Sequence, residues 1–91
     1  MKIKKVKEVK YSSNKLLKLF NFNETNYKIK EIYMVKINGK KSRHWRQHIN
    51  CKKIFFCTKG IFQISIAKKY KIIKKVLKEG NYIEIPKKTI F

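Results

Sequence analysis

Apolar and polar side chains alternate one for one through several short stretches of this chain, and turn-forming residues interrupt them every few positions. In "IFQISIA", Phe62, Ile64 and Ile66 fall on one side, and Ile61, Gln63 and Ser65 on the other. In "NYIEIP", Ile83 and Ile85 oppose Tyr82 and Glu84. A period of two places alternate side chains on opposite faces of an extended backbone, which is the pattern of a strand buried on one side. The stretch "KIKEIYMVKI" (Lys28 to Ile37) is rich in the Ile, Tyr and Val that pack well on a pleated surface, and it too predicts a strand. "KLLKLF" (Lys15 to Phe20) and "KIFFCT" (Lys53 to Thr58) are short apolar runs of the kind buried strands show. Turn residues separate them, in "YSSN", "NFNETN", "NGKKS", "KG" at Gly60 and "EGN" at Gly80. Strands this short and turns this frequent predict an all-β sandwich or barrel. One stretch reads two ways. "IAKKYKIIKKVLKEG" sets Ile66, Tyr70, Ile73 and Leu77 at helical spacing, with Gly80 as a C-cap, yet it also divides into two strands around Ala67 to Tyr70. The hairpin reading lacks the Gly, Asn or Asp that supplies a positive φ in tight turns.

The length of 91 residues fits a single domain, taken as 1–91, and 43% hydrophobic residues suffice for a core. No apolar run approaches the roughly 20 residues of a membrane span. The basic N-terminus "MKIKKVKEVK" has no apolar segment of the signal-peptide kind, so a cytoplasmic protein without membrane contact is expected. The net charge of +20 attracts polyanions. Its lysines are spread along the whole chain, however, and lysine far outnumbers arginine, as in the products of AT-rich genes. Charge of this kind speaks to solubility and non-specific nucleic-acid contact more than to task. Cys51 and Cys57 are too far apart for a C-x-x-C pair and read as reduced thiols. Two Cys and two His at this irregular spacing make a poor zinc set, so no metal is expected.

Both histidines, the tryptophan and both arginines lie in "SRHWRQHINCKK", which runs on into "IFFCTKGIFQISI". This segment resembles the "R-G-x-H-A-H" signature, apolar strand and glycine turn of the small cupins that act as dTDP-4-keto-6-deoxyglucose 3,4-ketoisomerases, the WxcM-like family. Arg43 falls on the signature's Arg, His48 on its second His and Gly60 on its glycine turn. Upstream, Tyr33 falls on the first Tyr of the family's "F-x-I-K-R-V-Y-Y" strand. Downstream, "GNYIEIPKK" is similar to the "G-L-Y-I-P-P" strand. Together these pieces cover nearly the whole chain. Arg46 stands where the first motif histidine belongs, His44 replaces a glycine, and Lys52 occupies the position a metal-binding cupin fills with an acid. The sequence ends at Phe91, where the family continues through further strands.

The resemblance implies an all-β, cupin-like double-stranded β-helix (jelly roll), incomplete at its C-terminus, with Lys71 to Lys78 as a strand. It implies a dTDP-sugar substrate, sugar-ketone isomerisation in deoxyamino-sugar and surface polysaccharide biosynthesis, no cofactor, and a homodimer. Moving a ketone between neighbouring carbons needs a proton taken from one and returned to the other, work suited to a neutral imidazole. On this reading His48 is the acid–base catalyst, while Arg43, Arg46 and Tyr33 bind substrate. Arg43 pairs with the diphosphate, and Tyr33 donates a hydrogen bond within the cavity. Residues 46 and 48 lie two apart and so share a strand face. Two other readings stand beside this one: a degenerate cupin that binds a nucleotide sugar or a protein partner without catalysis, and a small basic nucleic-acid-binding protein. The last wants aromatics interleaved with cations on one exposed face, and "RHWR" supplies a single instance. Trp45 itself reads as a packing residue on a strand face, and Cys57 as a buried thiol.

Overall fold

The computed structural model describes residues 1–19, 29, 31–32, 34–37, 39 and 42–91. Among these the fold is all-β, with no helix. Seven strands follow in order: β1 (Lys4–Lys5), β2 (Lys7–Tyr11), β3 (Asn14–Lys18), β4 (Lys53–Phe56), β5 (Ile61–Lys68), β6 (Lys71–Lys78) and β7 (Asn81–Ile85). Every pairing is antiparallel. The strands β1, β7 and β4 form one sheet in that order, while β2 with β3 and β5 with β6 form hairpins.

The predicted alternation decides which faces meet. Ile64 and Ile66 of β5, Leu77 of β6, and Ile83 and Ile85 of β7 are buried in one cluster with Cys57. Phe55, Phe62 and Phe91 pack against it. The β5–β6 hairpin therefore forms one layer and the β1–β7–β4 sheet the other, with the apolar face of each turned inward. Opposed apolar faces of this kind are what two-layer β folds bury. Cross-strand register keeps the faces in phase, with Ile66 opposite Ile73, Phe62 opposite Leu77, and Phe55 opposite Ile83. Positive φ at Gly60 (76°) and Gly80 (86°) turns the chain between layers. At Gly80 the tight passage is fixed further by Val6, whose N–H donates to the Gly80 carbonyl at 2.7 Å.

The ambiguous segment resolves as a hairpin, with Lys69 and Tyr70 as its two-residue turn between paired Lys68 and Lys71. Among the described residues the positive-φ positions outside glycine are Ser12 and Lys88, so this turn is made without one. The helical spacing coincides with strand spacing at Ile73 and Leu77, which share a parity. Tyr70, the residue needed to continue a helical stripe, sits 90% exposed at the tip. Burying the β5 and β6 faces against β7 outweighs the turn's weak local chemistry.

The strand expected over Lys28 to Ile37 is not found in the described residues of that stretch: Ile29, Glu31, Ile32 and Met34 to Ile37 belong to none. Ile32 (82%) and Met34 (85%) are exposed. Strand propensity reflects fit against neighbours, and these side chains lack a covering face.

Candidate functional site

The segment holding His48 pairs with residues 88–91. Arg46 N–H donates to the Phe91 carbonyl at 2.7 Å, and Phe91 N–H returns the bond to the Arg46 carbonyl at 2.9 Å. Lys88 N–H donates to the His48 carbonyl at 2.6 Å, and Gln47 Nε2 donates to the Lys88 carbonyl at 2.8 Å. Ile90 bridges Gln47 on one side and Ala67 of β5 on the other, both antiparallel. Residues 46–48, residues 88–91, β5 and β6 thus lie side by side in one layer.

Alternation along this row puts Arg46 and His48 on the face opposite Gln47. Phe91, directly paired with Arg46, shares their face and packs on the core. The half-buried His48 ring stacks on Phe91, with centroids 5.9 Å apart and planes at 16°. From the other layer, Lys53 and Phe55 share the parity of core Cys57. Phe55 meets Phe91 edge to face at 5.4 Å and 74°, an arrangement that sets ring edge against ring face. Lys53 Nζ lies 3.2 Å from His48 Nε2. It is also 5.7 Å from the Phe55 ring centroid and 5.8 Å from that of Phe91, within reach of cation–π attraction. A lysine ammonium only donates, so with Lys53 as donor the accepting group is the Nε2 lone pair, and the tautomer of the ring sets the direction of this contact.

Lys53 is the functional candidate that sequence reasoning misses. Its neighbour Lys52, of opposite parity, points elsewhere. The Lys52 Nζ meets Glu84 Oε2 at 3.5 Å, on a carboxylate that also meets Lys4 at 3.9 Å. The parity of Lys53 with Phe55 and Cys57 is the signal that could have found it. Of the expected site residues, the structure brings Arg46 and His48 onto one face. Arg43 is exposed and outside the strands, as is His44. Tyr33 lies outside the described residues. Trp45, expected to pack, is 52% exposed. A shallow pocket lined by Met1, Ile66, Lys68, Ile73 and Lys75 lies apart from His48. Among the described residues no group of three or more His, Cys, Asp or Glu side chains is placed to hold a metal, and no helix is long and apolar enough to cross a membrane.

Cys57 is 3% exposed, and its Sγ donates toward the carbonyls of Lys59 (3.6 Å) and Gly60 (3.4 Å). Burial pushes its thiol above the usual range, keeping it protonated as a core group. Cys51 is exposed.

Comparison with known proteins returned no matching family model, no matching curated protein and no matching solved structure.

Proposed function

We propose that this chain is a divergent nucleotide-sugar 3,4-ketoisomerase-like domain with a jelly-roll wrap, acting on a dTDP-4-keto-6-deoxyhexose in deoxyamino-sugar synthesis. The wrap is supported by the way the chain passes between layers. Residues 46–48 lie in one layer and β4 in the other, β5 and β6 return to the first, β7 crosses to β4, and residues 88–91 cross back between 46–48 and β5. The activity is carried by one observation, the His48–Lys53 pair between the layers. Isomerisation through an enediol needs a base for one carbon and an acid for the neighbouring oxygen. Arg46 removes one imidazole from the family's pair, and Lys53 supplies a second titratable group in its place.

In this mechanism His48 takes the proton from C3 while the Lys53 ammonium hydrogen-bonds to the carbonyl oxygen at C4. The enediol then collapses: a proton is delivered to C4, the C3 hydroxyl loses its proton as the ketone forms there, and the C4 oxygen gains one. One C–H and one O–H break and one of each forms, so the step balances without an oxidant or reductant, and the proton held by His48 exchanges with solvent. Arg46, on the same face, and Arg43 bind the diphosphate, where a guanidinium fork matches phosphate geometry.

The test is incubation with dTDP-4-keto-6-deoxyglucose in D2O, following loss of the C3 proton and appearance of the 3-keto sugar by NMR. Exchange is expected, and His48→Gln is expected to lower it by roughly 10²–10⁴-fold, the worth of one acid–base group. Lys53→Met is expected to lower exchange while dTDP-sugar binding persists. A non-catalytic nucleotide-sugar binder is the second reading, favoured by the Lys53 ammonium resting on the nitrogen that catalysis must free. Saturable sugar binding without C3 exchange would establish it, and the absence of binding would end both.

A further inference from the structure

The layer that carries His48 on its inner side has an outer side with different chemistry. The pairings Gln47–Ile90, Ile90–Ala67 and Ala67–Ile72 set those four residues in one row across it. Directly paired residues point to the same face, so this row looks away from Ile64, Ile66 and Leu77. Ser65 with Lys74, Gln63 with Val76 and Ile61 with Lys78 continue the same face. Trp45, outside the strands, precedes the row by two residues, and its parity with Gln47 assigns it to the same side if the extended backbone continues. Its exposure of 52% is matched by Ile72 at 57% and Val76 at 47%. At the hairpin tip Tyr70 stands fully out, with Lys69 Nζ 5.6 Å from its ring centroid.

Lysines stand on strands of every sheet, but the carboxylates of the described strands, Glu8 and Glu84, lie outside β5–β6. From Lys59 to Lys78 the chain has seven lysines and no carboxylate. Among the described residues, Glu8 pairs with Lys10, Glu79 with Lys15, and Glu84 with Lys4 and Lys52, in the other sheet, the β2–β3 hairpin and the β6–β7 turn. In sequence the lysines are evenly spread. In the fold these three acids are held by lysines outside β5–β6, and the outer face of β5–β6 carries Lys74 and Lys78 with no carboxylate of its own strands. The fold exposes a second aromatic flanked by cations, since Tyr70 of "KKYK" stands 90% exposed at the hairpin tip, in addition to Trp45 of "RHWR". Using ordinary strand spacing, the two rings lie roughly 20 Å apart on one layer.

We propose that this outer face binds single-stranded nucleic acid, with bases stacking on Trp45 and Tyr70 and phosphates meeting Lys69, Lys74 and Lys78. Planar aromatics serve every base alike, and lysines follow the backbone without reading sequence, so recognition is of single strands rather than of a site. A duplex hides its base faces and gains from the lysines alone. The proposal stands apart from the His48–Lys53 reading, since it uses the opposite face of the layer.

The experiment is fluorescence anisotropy with a labelled oligo-dT, an RNA oligomer and a duplex of equal charge, across a salt series, using the full chain. Tighter binding to single strands is expected. Tyr70→Ser and Trp45→Ala, both at exposed positions, are each expected to weaken single-strand binding about fivefold or more, while duplex binding stays unchanged. Lys74→Gln with Lys78→Gln is expected to flatten the salt slope by about 0.7 for each phosphate no longer neutralised. The same exchange at Lys7 and Lys10, on the β2–β3 hairpin, is expected to change it less. The proposal is overturned if both aromatic variants bind as the parent does, if duplex and single strand bind alike, or if anionic phospholipid vesicles bind and compete at lower charge concentration than oligo-dT.

Discussion

The two hairpins of this fold have the same pairing and opposite fates. In β5–β6 one face is apolar at Phe62, Ile64 and Ile66 of β5, with Leu77, half-buried Lys75 and Ile73 across from them, and that face is where the core forms. In β2–β3 neither face is continuous. Lys7, Val9 and Tyr11 face Lys18, Leu16 and Asn14, while Glu8 and Lys10 face Leu17 and Lys15. Val9 and Leu17 are half-buried, and the other residues of that hairpin are exposed. Lysine stands directly opposite lysine at Lys7–Lys18 and Lys10–Lys15, an arrangement that weakens a strand pair and that β5–β6 has once, at Lys68–Lys71 beside its turn. Among the described residues β2–β3 is tied to the β6–β7 turn by the Lys15–Glu79 ion pair at 2.7 Å, which holds the Lys15 ammonium above its ordinary pKa through the hydrogen bond and charge of Glu79. Strand pairing alone does not make a hairpin part of a core. An unbroken apolar row along one strand, as at Phe62, Ile64 and Ile66 of β5, does.

Several measurements sharpen or break that contrast. Leu77→Ala, at a fully buried side chain, is expected to cost about 2–5 kcal/mol in urea unfolding, whereas Leu16→Ala on β3 is expected to cost under about 0.5 kcal/mol. Equal costs would dissolve the distinction. Phe91→Ala is expected to cost roughly 2 kcal/mol, below the range for a fully buried phenylalanine because Phe91 is only half-buried. It should also release the His48 ring, visible as a change in its imidazole NMR signals. Cys57 adds a pH dependence. Its thiol is raised in the folded state, so its contribution is complete below the unfolded-state pKa, near 8.5, and fades as pH rises above it. Stability is therefore expected to fall above about pH 8.5 more steeply than in Cys57→Ala; parallel profiles would remove Cys57 from the account. The smallest effect lies in the other hairpin, where Lys7→Glu, placing a carboxylate opposite Lys18, is expected to stabilise by about 0.2–1 kcal/mol, less at high salt.

The alternation in "IFQISIA" and "NYIEIP" is enough to place β5, β7 and their buried faces, because period two with a consistent apolar side has one low-energy arrangement. Lys71 to Lys78 is ambiguous in sequence since Ile73 and Leu77 satisfy both periods, and only the partner face across the core decides between them. Lys28 to Ile37 misleads for the converse reason: Ile32 and Met34 have strand-forming side chains but stand exposed. The site is half legible. Residues 46 and 48 sharing a face follows from their spacing. Lys53 escapes notice because its meeting with His48 depends on residues 46–48 and β4 approaching from opposite layers. No local pattern reports that approach. The pairing of Glu79 and Glu84 with lysines distant in sequence is hidden in the same way, since it belongs to the folded surface and not to the order of residues.

Ile90 sits between Gln47 and Ala67 and joins them as a keystone joins two sides of an arch. Its position has a temporal consequence. The strip carrying His48 leaves the ribosome long before residues 88–91, which complete its hydrogen bonds, so its backbone groups stay bonded to water until those residues follow. Contacts between positions this distant in sequence close slowly. The His48–Lys53 meeting is therefore expected to be among the last features to form in refolding, and among the first to open when residues 88–91 detach.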